Sequence, residues 1–307
     1  MTSRVHHALR AALVVALGSP IALACGGRAV GDDCQSAIPD QLGACGYSVQ
    51  IIGDPNACGF NDGGTGNAEL CQRLCGQATS CSYFGGSVVT CGNGCPGRKP
   101  DGLEEWVSEG GSAVGEWLAR AAFFEAASVD AFEILAAELE VAGAPASLIR
   151  GARIAAKDEV RHALVMTALA EKYGALVRRP NVVQFRRRSL LEIALENAVE
   201  GCVHETFAAA VAAVQGRTAG DERIRVAMAR IAIDEARHAD LAWRVAGWIE
   251  PRLSARDRAT VDEARRAAAE RLRADEVTGE AGLALGIPDR ATADGVARAL
   301  FEELLAA

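Results

Sequence analysis

One heptapeptide occurs twice in this chain. Lys157-Asp158-Glu159-Val160-Arg161-His162-Ala163 returns 76 residues later as Ile233-Asp234-Glu235-Ala236-Arg237-His238-Ala239. Upstream of each copy a second match occurs at almost the same offset. Leu118, Glu125, Phe132 and Leu139 run in steps of seven, and so do Ile193, Glu200, Phe207 and Val214. Steps of seven return to one helix face, so each series has a glutamate where an inward-facing leucine is expected. Glu125 and Glu159 are 34 residues apart, Glu200 and Glu235 are 35 apart. A chain patterned in this way has to build the same helical hairpin twice.

Breakers and caps mark where the helices lie. The first runs over 103–141, interrupted near Gly110 and Gly111, and stops at Gly143-Ala144-Pro145. The second covers 145–173, the third 189–214 and the fourth 221–249, before Pro251. Between the second and third lies a basic connection, Arg178 to Arg188, expected as a solvated loop. Two more amphipathic stretches, 254–276 and 290–305, add accessory helices.

A glutamate and a histidine three residues apart share a helix face, so Glu159 with His162 can grip one metal ion, and Glu235 with His238 another. Their seven-residue neighbours are apolar: Ala152 and Met166 for Glu159, Ile231 and Val245 for His238. Carboxylates and imidazoles buried together cost many kcal/mol unless cations neutralise them. Asp158 and Asp234 stand one residue before the paired glutamates, where each can accept the Nδ1 proton of the opposite hairpin's histidine. On the third helix Glu200 is preferred as ligand over Glu205, which also falls on a partly apolar face, because Glu200 alone preserves the repeat spacing. His204 is expected beside the centre rather than in it, Glu192 and Glu196 in solvent, and Arg161 and Arg237 in ion pairs.

The order Glu, Glu-x-x-His, Glu, Glu-x-x-His resembles the ferritin-like superfamily of di-iron and di-manganese carboxylate proteins. The resemblance covers 106–249. It implies a mainly α protein whose centre is an antiparallel four-helix bundle, with 178–188 as the long crossover. It implies Glu125, Glu159, His162, Glu200, Glu235 and His238 as ligands, with Glu159 and Glu235 bridging. The implied cofactor is two iron ions, or manganese, and the implied activity an oxidoreduction with O2 or peroxide. No rubredoxin-type segment accompanies the pattern, so electrons would come from an unidentified donor. The competing expectation is a non-catalytic envelope protein in which the metal only braces the bundle.

The remaining sequence differs in texture. Arg4 and Arg10 precede an uncharged stretch from Ala11 to Ala24, the order of an export signal over 1–24. Ala22-Leu23-Ala24 fits a signal peptidase site, while Ala22-Leu23-Ala24-Cys25 resembles a loose lipobox with Cys25 as the lipidated residue. Both readings place the protein outside the cytoplasm, foremost as a periplasmic or outer-membrane lipoprotein. Residues 25–102 form a separate region that holds, beyond Cys25, eight cysteines: Cys34, Cys45, Cys58, Cys71, Cys75, Cys81, Cys91 and Cys95. With 17 of the 32 glycines in 26–102, such a segment lacks the aliphatics for a large core and is expected to be stapled by disulfides. The helical part then spans 103–250, and 251–307 supplies the accessory helices. A net charge of −8 argues against binding a phosphate backbone, and no run reaches membrane-spanning length, so nucleic acid is excluded and a membrane enters only through Cys25.

Overall fold

A computed structural model of the chain describes residues 2–18, 35–37, 46–52, 80–83, 88–92, 98–100, 103–104, 106, 111–182, 188–272, 277 and 279–305. The protein is mainly helical, and it divides into two compact units. The smaller unit contains β1 (Gln35–Ala37), β2 (Gly46–Ile52), β3 (Ser80–Tyr83) and β4 (Val88–Gly92). They form an antiparallel sheet in the order β1-β2-β4-β3, which the cysteine pattern alone did not announce. The β3–β4 register sets Cys81 opposite Cys91. The other six cysteines expected in disulfides, and Cys25, lie outside the described residues.

The larger unit contains every described helix together with Cys95–Glu104, a stretch expected to belong to the cysteine-rich region and its linker. Its helices are α1 (Thr2–Gly18), α2 (Ala113–Val141), α3 (Ala146–Lys172), α4 (Leu190–Glu196), α5 (Thr206–Thr218), α6 (Glu222–Ile249), α7 (Ala255–Arg271), α8 (Gly279–Leu285) and α9 (Arg290–Leu304). Between α4 and α5 the chain runs without a break through a nine-residue π-helical segment, Asn197–Glu205.

Local chemistry accounts for these boundaries. The hydroxyl of Ser112 caps α2 by accepting from the Gly115 N–H, and Ser189 with Glu192 forms a capping box at α4. The Asp221 carboxylate accepts from the N–H groups of Arg223 and Ile224 to start α6. After α2 the chain reverses at Gly143, whose φ of +73° few other residues adopt cheaply, and enters α3 behind Pro145. This joins α2 and α3 as one packed hairpin. The π-segment and α5 pack on α6 as the second, and α3 also packs on α6. The short helix α8 was not expected, because Gly279, Gly282 and Gly286 obscure its periodicity.

Two apolar clusters fill the paired hairpins. Trp117, Leu118, Met166, Leu169, Ile224 and Ile231 form one, and Phe132, Leu135, Leu139, Leu148, Leu241 and Val245 the other. On α2 the changeover falls between Ala122 and Phe132, on α3 between Ala156 and Met166, and on α6 between Ile231 and Leu241. The repeated glutamates and histidines occupy that gap. They therefore form a polar belt with apolar packing on both sides, shielded from water by both clusters.

Residues 2–18, expected to lie outside the fold as an export signal, form α1 and bury Val5, Ala8, Leu9 and Ala12 against α9, α5 and α6.

Candidate metal centre

Glu125 from α2, Glu159 and His162 from α3, Glu205 from the π-segment, and Glu235 and His238 from α6 converge in the belt. Their side chains are between 0% and 8% exposed as residues. Two overlapping groups have ligand atoms mutually within 4.8 Å: Glu125, Glu159, His162 and Glu235, and then Glu205, Glu235 and His238. Glu235 belongs to both. Nδ1 of His162 is 3.1 Å from Glu235 Oε1 and 3.4 Å from Glu125 Oε2. Nδ1 of His238 is 2.9 Å from Glu159 Oε1 and 3.8 Å from Glu205 Oε2. Glu159 thus lies beside both imidazoles, 3.6 Å from His162 Nδ1 through its other oxygen.

The placement corrects the expectation for the third helix. Glu205 enters the cluster and Glu200 does not. Glu200 instead accepts from His204 Nδ1 at 3.2 Å, and both are partly exposed. The reason is the π-segment. An α-helix turns about 100° per residue, so steps of seven keep one face. A wider i→i+5 turn advances less per residue, and over Asn197–Glu205 the face that begins at Ile193 drifts from Glu200 to Glu205. Counting by the repeat could not detect this.

The flanking aspartates pair with the opposite hairpin as expected, but through the other ring nitrogen. His162 Nε2 donates to Asp234 Oδ2 at 3.2 Å, and His238 Nε2 donates to Asp158 Oδ2 at 3.3 Å. Arg161 and Arg237 complete the network. Arg161 bonds Asp158 at 2.5 Å and Asp234 at 3.3 Å, while Arg237 bonds Asp158 at 3.0 Å and Asp234 at 2.6 Å. Burial would raise the Asp158 pKa, but hydrogen bonds from His238, Arg161 and Arg237 outweigh it and hold the carboxyl well below its usual range. A carboxylate oxygen accepts, so Nε2 of each histidine carries a proton towards its aspartate and Nδ1 is the ring nitrogen that faces the cluster.

Inside the cluster the ligand atoms face one another at ion-pair distance but without hydrogen bonds. Glu159 Oε2, His162 Nδ1, both carboxylate oxygens of Glu205 and of Glu235, and His238 Nδ1 are buried without a hydrogen bond. Burial and the Glu159 charge push the Glu125 pKa well up, and burial with the Glu235 charge does the same to Glu205. Burial disfavours the imidazolium of His162, yet Glu125, Glu159 and Glu235 around it drive its pKa far above the ordinary histidine value. His238 is raised in the same way, against burial, by Glu235, Asp158 and Glu159. Groups so arranged are short of positive charge. Buried carboxylates and imidazoles at these separations can hold a metal ion, which takes the place of the Nδ1 protons.

Several residues outside the repeat also matter and had no sequence signal. Glu196, expected in solvent, pairs with Arg98, which is itself buried. Arg188, expected in a solvated connection, is held by both oxygens of the buried Glu138. A lone arginine distant in sequence from its carboxylate leaves no periodic trace.

No family model, no curated protein and no solved structure matches the chain, so the reading of the site rests on its residues alone.

Proposed function

We propose that the belt holds a carboxylate-bridged pair of divalent metal ions, foremost iron, in a ferritin-like four-helix arrangement of α2, α3, the α4–α5 helix and α6. The observation that carries this reading is the set of buried, unpartnered ligand atoms on both repeats. Carboxylates buried this close together cost several kcal/mol, a burden that cations remove. Glu235, shared by the two groups, and Glu159, beside both histidines, are the natural bridges. Glu125 and His162 complete one half and Glu205 and His238 the other. Asp158 and Asp234 keep the imidazole protons on Nε2, and Arg161 and Arg237 pair with those aspartates and hold them in place. The apolar clusters on either side exclude water. When bound, the metal pair would supply electron transfer to O2 or peroxide, with electrons from a separate donor.

Metal content tests this directly. The purified full chain, loaded anaerobically with iron(II), is expected to hold about two ions, and the Glu159→Ala/His238→Ala variant to lose them. No bound transition metal after loading would sink the reading.

A second reading, a brace rather than a catalyst, is favoured by the burial of Glu159 at 1% and Glu205 at 0% exposure. Oxygen consumption by the iron-loaded protein with a reductant separates the two. A brace raises the melting temperature on loading but consumes no oxygen.

A further inference from the structure

We infer that Arg98 is a positioning residue for the second half of the metal centre. It precedes α2, yet its side chain is only 1% exposed. Nε donates to Glu196 Oε1 at 2.7 Å and Nη2 to Glu196 Oε2 at 2.6 Å, a two-pronged grip on the residue immediately before the π-segment. Nη2 also reaches Oδ1 of Asn197, the first residue of that segment, at 3.4 Å. The guanidinium is anchored from the other side. Its own carbonyl accepts from Ser128 Oγ at 2.8 Å, and the group lies 5.6 Å from the centre of the Phe132 ring, both on α2. Asn197 in turn donates from Nδ2 to the Ala242 carbonyl on α6 at 3.0 Å.

One buried cation therefore ties α2 to the start of the π-segment, and Asn197 ties that start to α6. Gly201, inside the segment, closes the arrangement. A Cβ there would meet Ala242 Cβ at 2.7 Å and Asn197 Oδ1 at 2.9 Å, with Arg98 Nη1 at 3.2 Å. Nη1 is buried without a hydrogen bond, and the positive charge of the group bears on Glu205. A buried ion pair is a poor source of net stability, but a good means of fixing one register among several. Here the register decides whether Glu200 or Glu205 faces the metals. Arg98 fixes the start of the wide turn, and the turn delivers Glu205. The inference rests on the metal reading and goes beyond the helical repeat, since the repeat alone would not complete its own site.

The test is anaerobic iron(II) titration of the full chain, with stoichiometry and affinity of each ion measured and helix content followed by circular dichroism. Wild type is expected to take two ions. Arg98→Met is expected to keep the ion held by Glu125, Glu159, His162 and Glu235, and to bind the other about 10- to 100-fold more weakly, matching Glu205→Ala. Arg98→Lys keeps the charge but lacks the fork, and should fall between. If Arg98→Met does not fold, Arg98→Lys decides alone. Two ions at wild-type affinity in the folded variants would overturn the positioning role while leaving the metal reading intact. So would an equal weakening of both ions, which a general structural defect produces. A wild type that takes no metal would sink the metal reading instead.

Discussion

Glu205 has the least favourable surroundings of any carboxylate in the belt. It is wholly buried, both its oxygens lack hydrogen bonds, and burial with the neighbouring charge of Glu235 pushes its pKa up. A bound cation relieves such a position, so substitutions there and at Glu200 should part company. Glu205→Ala is expected to lose one of two ions and to weaken its site by at least about tenfold, the usual scale for losing support at a metal. Glu200→Ala removes a partner of His204 near the surface and is expected to leave both ions bound. Metal content of the two variants beside wild type decides the matter, and loss of an ion in Glu200→Ala with none lost in Glu205→Ala would reverse the assignment. Five of the six clustered residues stand at spacings that the repeat displays. The sixth does not, because its place depends on a wide helical turn that follows from long-range contacts rather than from residue type. Arg98 shows the same limit, since its partner Glu196 lies 98 residues away.

Among the elements, α3 and α6 are linked at their ends as well as through the belt. The Tyr173 hydroxyl, at the close of α3, donates to Asp221 Oδ2, the N-cap of α6, at 2.6 Å. That bond, together with some burial, pushes the tyrosine pKa up to about 12. A group whose pKa is raised by folding contributes stability in full below its unfolded value, near 10, and loses it as pH rises from there through about 12. Of the three tyrosines in the chain, one should therefore titrate late when ionisation is followed by ultraviolet absorbance. The late step is expected to vanish in Tyr173→Phe and to move down towards the ordinary value in Asp221→Asn, since the hydrogen bond is the larger cause. An ultraviolet titration unchanged by Tyr173→Phe in its late step would show that the link does not form. Most element boundaries were readable in the sequence: α3, α6 and α9 lie within a residue or so of their expected limits, but α2 begins at Ala113 rather than at 103, where Leu103 instead bridges Val182, and α7 ends at Arg271 rather than at 276. The strands of the smaller unit were not, because glycine and cysteine dominate the composition there and leave little alternation to read.

At the scale of the whole molecule, α1 bears on where the protein works. It buries Val5, Ala8, Leu9 and Ala12, yet Val14 is 72% and Leu17 51% exposed. Apolar residues on more than one side are poor design for a helix that packs on one side only, and good design for a segment read by export machinery before folding. Among the described residues no helix is long and apolar enough to cross a membrane. If residues 1–24 are removed on export, the protein must stand without the apolar burial that α1 supplies. Two of the four buried side chains are alanines. Val5 and Leu9 each contribute about 1.5–3 kcal/mol when fully buried, and a domain of this size loses about 2–4 °C per kcal/mol. The chain produced in an exporting bacterial host is therefore expected to have an intact mass lacking residues 1–24, with an added lipid mass if Cys25 is the acceptor. Compared with uncleaved protein made without export, it should melt about 6–24 °C lower, still in one cooperative step, and bind the same number of metal ions. Loss of cooperative unfolding or of the metals on removing residues 1–24 would make α1 an integral part of the fold. The export reading would then have to be abandoned, because a cleaved signal cannot be a structural element of the mature protein.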